Sequence, residues 1–149
     1  MSQRNLIQMS EAEIAAFLAE KHTMQIATNG KDGFPHLVPM WYGFLDDAPA
    51  LWTYGKSQKI VNLQRDNCLT ALIETGELYS DMRGVMLKAR GIIIEDKETI
   101  IRVGESVQSR YVGPLTDDRR KRVVRQSRKR VAVRLEIAQI VSWDHGKIA

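Results

Sequence analysis

The stretch Trp52-Thr53-Tyr54-Gly55-Lys56-Ser57-Gln58-Lys59 holds the residue types best suited to chemistry. An apolar run with strand character passes through a glycine into the start of a helix, and two lysines and a hydroxyl gather there. Free amides and the dipole at a helix start stabilise an anion. Lys56 and Lys59 add charge and Ser57 adds a hydroxyl donor, so the junction suits a phosphate. A capped surface helix with solvated lysines has the same pattern. Gly55-Lys56-Ser57 also matches the end of the nucleotide P-loop, but that motif needs a glycine five positions earlier, where Ala50 stands.

The second unusual stretch is Pro35-His36-Leu37-Val38-Pro39-Met40-Trp41-Tyr42. Pro39 removes a ladder donor from an otherwise strong strand, which places it at an edge or a bulge. Backbone groups released there can meet the edge of a planar heterocycle, with Trp41 or Trp52 packed nearby. An edge strand guarded against aggregation has the same look. His36 reads as structural or exposed rather than catalytic. Spacing reveals no Ser-His-Asp set, Cys-His pair or isolated carboxylate pair, since such groups are assembled by the fold. An enzyme of this kind would borrow its reactive atom from a cofactor.

These residues need elements to position them. Ser10 and the acids that follow open a first helix, with Ile14, Phe17 and Leu18 on one face. Strands are expected at 23–28, 34–45, 50–54, 68–75, 85–95 and 131–143, with turns at 29–33 and 46–49. A short helix capped by Ser57 runs to about Asp66, a second spans 98–112, Gly113-Pro114 breaks it, and Asp117-Asp118 starts a basic one over 117–130. Six strands at hairpin spacing with helices at the ends suggest a barrel, mainly β with helices.

The bulk numbers fit. At 149 residues the chain is long enough to bury about 70% of its unfolded surface, so a single domain over 1–149 is expected, with 1–9 a flexible N-terminus. No apolar run approaches membrane-spanning length and the start lacks a signal h-region, which points to a cytoplasmic protein without a membrane role. One cysteine, Cys68, excludes an internal disulfide, and three histidines give no metal spacing. Between Asp117 and Arg130 eight basic residues face two acids, a net +6 in a chain of +4, so the remainder is −2. The basicity belongs to one element, where Lys121, Arg122, Arg125, Arg128 and Lys129 share a face opposite Val123 and Val124. That element lacks interleaved aromatics, which disfavours a nucleic-acid role.

Taken together, Pro35-His36-x-x-Pro39-x-Trp41, Trp52-Thr53-x-Gly55-Lys56-Ser57-x-Lys59-x-x-Asn62-x-x-Arg65-Asp66, Arg90-Gly91 and Ser142-Trp143-Asp144 resemble the pyridoxamine 5′-phosphate oxidase-like superfamily. Within it, the chain is similar to the flavin and deazaflavin oxidoreductases. The resemblance implies a six-stranded split β-barrel, FMN-binding-like and homodimeric, with FMN or the deazaflavin coenzyme F420 at the subunit interface. Val38, Pro39, Met40, Trp41 and Tyr42 would line the ring, and Trp52 and Thr53 would lie beside it. Lys56, Ser57, Gln58, Lys59 and Asn62 would meet the phosphate, while Met86 and Lys88 lie on the strand that reaches the cofactor of the partner subunit. Pyridoxamine phosphate oxidases carry Arg-Gln-Val-Arg where this chain has Val85-Met86-Leu87-Lys88, which argues against vitamin B6 oxidation. The implied activity is hydride transfer from reduced F420 to an unsaturated or conjugated small molecule, with an FMN enzyme or a non-catalytic carrier as alternatives. The polyglutamate tail of F420 would find complementary charge on the basic helix.

Overall fold

Two residues, Trp41 and Tyr42, set the shape of the sheet. A computed structural model describes residues 2–149. Seven strands, β1 (Met24–Asn29), β2 (Pro35–Met40), β3 (Gly43–Leu45), β4 (Ala48–Tyr54), β5 (Cys68–Thr75), β6 (Arg83–Ile94) and β7 (Arg130–Asp144), form one antiparallel sheet in the order β2-β1-β5-β6-β7-β4-β3. Strands β2 and β3 are its opposite edges, yet only Trp41 and Tyr42 separate them in the chain. Three peptide steps span at most about 11 Å. The edges of a flat sheet of this width lie about 29 Å apart. The sheet is therefore curled into a half-barrel, giving an α+β fold.

The expectation of six strands with one running from Phe34 to Leu45 is corrected here. Tyr42 turns its ring into the core, fully buried, and its amide donates to Tyr111 Oη at 3.3 Å instead of to a strand. The ladder stops at Met40 and resumes at Gly43 on the other edge. The next strand begins at Ala48 rather than Ala50, because Asp46 and Asp47 (φ 50° and 68°) close a two-residue hairpin turn of the type that demands positive φ.

Among the described residues five α-helices accompany the sheet, α1 (Gln3–Ile7), α2 (Glu11–Ala19), α3 (Gln58–Arg65), α4 (Lys97–Tyr111) and α5 (Asp117–Ser127), with short 3₁₀ turns at Tyr79–Asp81 and His145–Ile148. Ser10 and Glu13 exchange side chain and backbone bonds in a capping box that starts α2. Asp96 and Thr116 cap α4 and α5. None of the described helices is long and apolar enough to cross a membrane.

Two apolar clusters form. One fills the barrel, with Ile26, Leu51, Ala71, Ile73, Val85, Leu87 and Leu135 from the sheet, Phe17 and Leu18 from α2, and Ile60 and Leu63 from α3. The other lies between Ala50, Trp52 and Ala132 on the opposite side of the sheet and Ile100, Val103, Val107 of α4 and Val123 of α5. Strand β4 is thus buried on both faces, Leu51 and Thr53 inward and Ala50 and Trp52 toward α4. Helix α5 ends at Ser127, short of the expected 117–130, so Arg128 and Lys129 lie instead in the link to β7.

Candidate functional site

Strand β4 carries the chain out of the barrel wall and α3 carries it back across the barrel end. At the junction Ser57 N donates to Tyr54 O and Gly55 N donates to Lys129 O, both at 3.0 Å, so the turn is tied to the start of β7. Helix α3 then aims Lys59, Ile60, Asn62 and Leu63 inward at the helical repeat. Ile60 and Leu63 fill the core, while the two polar side chains bond to the barrel lining. Lys59 Nζ donates to Thr53 Oγ1 at 2.8 Å, Asn62 Nδ2 donates to Thr28 Oγ1 at 3.0 Å, and Gln58 Nε2 donates to Asn62 Oδ1 at 2.9 Å.

The electrostatics of this junction are unbalanced. Lys59 is only 8% exposed, and burial, reinforced by the nearby Arg130 guanidinium, lowers its pKa below the ordinary lysine value. Among the described residues no carboxylate pairs with Lys59 or Arg130. Ser57 occupies the cap position of α3, but its side chain makes no capping bond, contrary to the sequence expectation. Its Oγ is buried without any partner, as is Arg130 Nε. A buried cation with one neutral partner, a second cation beside it and an idle hydroxyl at a helix start form an incomplete set of donors. A phosphate dianion would supply acceptors of the kind this set lacks.

The ring-lining residues divide. Pro39, Met40 and Trp41 join Trp52, Val107 and Arg130 around a cavity of about 310 Å³. Trp41 stacks flat on Tyr111, centroids 4.7 Å apart and planes 4° apart, and the Trp52 indole lies under the Arg130 guanidinium at 4.7 Å. Val38 packs against the barrel core instead, and Met40 packs there as well as lining the cavity. Tyr42 is a core residue: its hydroxyl donates to Leu18 O at 2.6 Å, burial pushes its pKa up to about 12, and the Arg110 guanidinium lies over its ring at 4.8 Å.

The phosphate set also divides. Gln58 and Asn62 line a cavity of about 440 Å³ with His36 and the β1–β2 turn. Lys56 lines a third, of about 810 Å³, with Tyr54, Gly55 and residues 128–131. Arg130 is shared by the first and third and links them. Met86 and Lys88 are not brought to this region within the chain. They point outward from β6, whose inward positions are Val85, Leu87 and Ala89.

Sequence reasoning missed Arg130, Tyr111 and Gly104. Arg130 was one of eight bases in a run, and only its pairing opposite Tyr54 in the β4–β7 ladder singles it out. Tyr111 and Gly104 sit on α4, where nothing local marks them. A Cβ on Gly104 would lie 2.6 Å from Trp52 Cζ3, so this glycine is the seat of the indole.

With this geometry in view, the family model described as pyridoxamine 5′-phosphate oxidase matches residues 10–144. The chain is similar to a conserved hypothetical protein from Mycobacterium tuberculosis, at 45% identity over 99% of this chain and 92% of that one, with a TM-score of 0.94. It is also similar to an F420 reductase, at 19% identity over 84% and 93% of the two chains and a TM-score of 0.61. A FAD-binding protein of Mesorhizobium loti matches at 18% identity over 91% and 94%, with a TM-score of 0.67. At such identities the last two establish the fold alone. No curated protein matches the chain.

Proposed function

This chain belongs to the pyridoxamine 5′-phosphate oxidase family, and from that premise we propose that it is an oxidoreductase working with a phosphorylated flavin-type cofactor, the deazaflavin F420. FMN is the competing cofactor. The observation that carries the reading is Lys59, an ammonium group sunk beside Arg130 with one threonine for a partner and no carboxylate. Evolution of a merely structural position favours an apolar side chain there, because burying an unpaired charge is costly.

In this reading Lys59, Ser57 and the first amides of α3 hold the phosphate. Pro39, Met40, Trp41 and Trp52 bound the flat part of the cofactor, and Arg130 bridges the two regions. The cofactor, when bound, supplies the hydride. The chain supplies position and exclusion of water: Tyr111 props Trp41 from behind, Gly104 and Arg130 sandwich Trp52, and the resulting walls admit a conjugated substrate. Val85-Met86-Leu87-Lys88 offers no pair of arginines for a second phosphate, so the substrate differs from pyridoxamine phosphate. The match to an F420 reductase fold and to a FAD-binding protein fold supports a planar redox cofactor.

The test is titration of F420 and FMN into the purified protein, followed by tryptophan emission. Lys59→Met is expected to weaken the preferred cofactor by about tenfold or more, the loss of a charge-assisted hydrogen bond. An unchanged dissociation constant in that variant refutes the phosphate assignment. Oxidation of the reduced cofactor by quinones, enones or tetrapyrroles above background separates an enzyme from a carrier.

A further inference from the structure

The ring cavity is apolar except at one corner. Pro39, Met40, Trp41, Trp52 and Val107 give it aliphatic and indole walls, and among the described residues that line it only Arg130 is charged. That arginine is held by rings rather than by an acid. Its guanidinium lies over Trp52 at 4.7 Å and over Tyr54 at 4.5 Å. Among the described residues no carboxylate lies within ion-pair distance of it, and its Nε is buried without a hydrogen-bond partner. Two aromatic rings therefore hold the guanidinium in place without neutralising it. Lys59 stands close enough for the Arg130 charge to lower its pKa, so a second cation adds to the positive potential on this side.

A buried donor left idle is costly, and an arginine in this state calls for an acceptor that the chain itself does not provide. The rest of the wall says what carries that acceptor. Indole, proline, methionine and valine side chains accommodate a flat apolar body, so the acceptor belongs to a conjugated molecule with an oxygen at one end.

We propose that Arg130 is a catalytic residue that donates to the carbonyl oxygen of a flat enone or quinone and stabilises the negative charge that gathers there on reduction. This role rests on the oxidoreductase reading above, with the reduced cofactor as the hydride source. Hydride added to the far carbon of C=C–C=O forms a C–H bond, the C=C π pair becomes the new C=C bond next to oxygen, and the C=O π pair moves onto oxygen as an enolate. A proton from water completes the reduction. A donor fixed beside the developing oxyanion in an apolar cavity lowers the barrier more than it strengthens substrate binding. Arg130 thereby limits the substrate as well: an isolated alkene, with no conjugated oxygen to take the charge, should not be reduced.

The first arm of the experiment needs no cofactor. 4-Nitrophenolate is flat, carries its charge on a conjugated oxygen and is coloured, so its ionisation on the whole ligand-free protein can be read by absorbance. Binding should favour the phenolate over the phenol by about tenfold, a downward shift of about one unit in the apparent pKa of the probe. The parent should also prefer the phenolate to the neutral 4-nitroanisole by tenfold or more, a comparison that needs no variant. Arg130→Gln should abolish the shift, Arg130→Lys should restore part of it, and Lys59→Met should keep most of it; circular dichroism checks the fold of each. The absence of a shift in the parent overturns the proposal, as does a shift that survives Arg130→Gln. In the second arm, at saturating cofactor, Arg130→Gln should lower kcat for menadione and 2-cyclohexenone by about a hundredfold or more with KM changed less than threefold. A loss confined to KM overturns the catalytic role. If the phenolate binds as expected while neither F420 nor FMN binds, Arg130 stands as an oxyanion site and the cofactor reading falls; if a cofactor binds and the phenolate shift is absent, the cofactor reading stands and this proposal falls.

Discussion

Lys59 is held by Thr53 alone, a buried cation that costs the fold stability and is open to an anion in the proposed site. Its lowered pKa means that the folded protein binds this proton less tightly than the unfolded chain does. Between the lowered value and the ordinary 10.5 the unfolded state carries more protons, so stability rises with pH across that window. Removing the charge removes the penalty. Lys59→Met should therefore raise the Tm of the ligand-free protein at neutral pH and flatten the alkaline rise, while it weakens the cofactor. Cofactor affinity should run the opposite way, falling as pH climbs through the lowered lysine pKa. Thermal melts from pH 7 to 10.5 with and without cofactor measure both slopes. A variant less stable than the parent at every pH would show that Lys59 is a structural hydrogen-bond donor first.

At the scale of elements, α4 does the positioning. Its residues reach three features in turn: Gly104 seats Trp52, Tyr111 backs Trp41, and Arg110 donates to Tyr42 O, Ala19 O and Glu20 O, tying α2 to the barrel. Glycine in a helix interior costs about 1 kcal/mol relative to alanine, so propensity alone favours Gly104→Ala. Against that, the new Cβ would meet three atoms of one rigid ring at 2.6, 2.8 and 2.9 Å. Overpacking of this kind costs roughly 1–3 kcal/mol. The expected outcome is net destabilisation in urea with a shift in tryptophan emission; a more stable variant with parental emission would show that the indole has room to move. None of this was legible in the sequence, because a glycine in a helix carries no mark of what approaches it. The capping of α2 was legible, since Ser10 and Glu13 act within one turn. The expected strand from 34 to 45 failed for the converse reason: its residues all favour strand locally, and only the burial of Tyr42 and its bond to distant Tyr111 break it in two. Likewise the junction from Trp52 to Asn62 could be recognised as a unit, whereas the membership of Arg130 depends on a ladder between strands far apart in the chain.

At the scale of the molecule, the sheet leaves one face unexplained by a monomer. The ladder aligns Leu37, Ala27, Thr70, Lys88 and Gln139 in one row, and Pro39, Gln25, Leu72, Met86 and Val141 in the next, all on the outer face. None of the ten is buried, and Leu37 is 64% exposed. Two rows across five strands give a broad, mixed apolar and polar surface of the sort that an isologous dimer covers, each copy meeting the same residues of the other. In the proposed dimer a second copy placed there would bring Met86 and Lys88 toward the partner's cofactor site. Leu72→Glu with Met86→Glu places like charges at the centre of that face. The double variant should sediment as a monomer with parental circular dichroism, because both side chains point away from the barrel core. It should also lose most of its cofactor affinity while Ser57, Lys59 and Arg130 remain intact. A variant that stays dimeric with parental affinity rules this face out as the interface. A folded monomer that binds the cofactor fully would instead show that the site is complete within one chain.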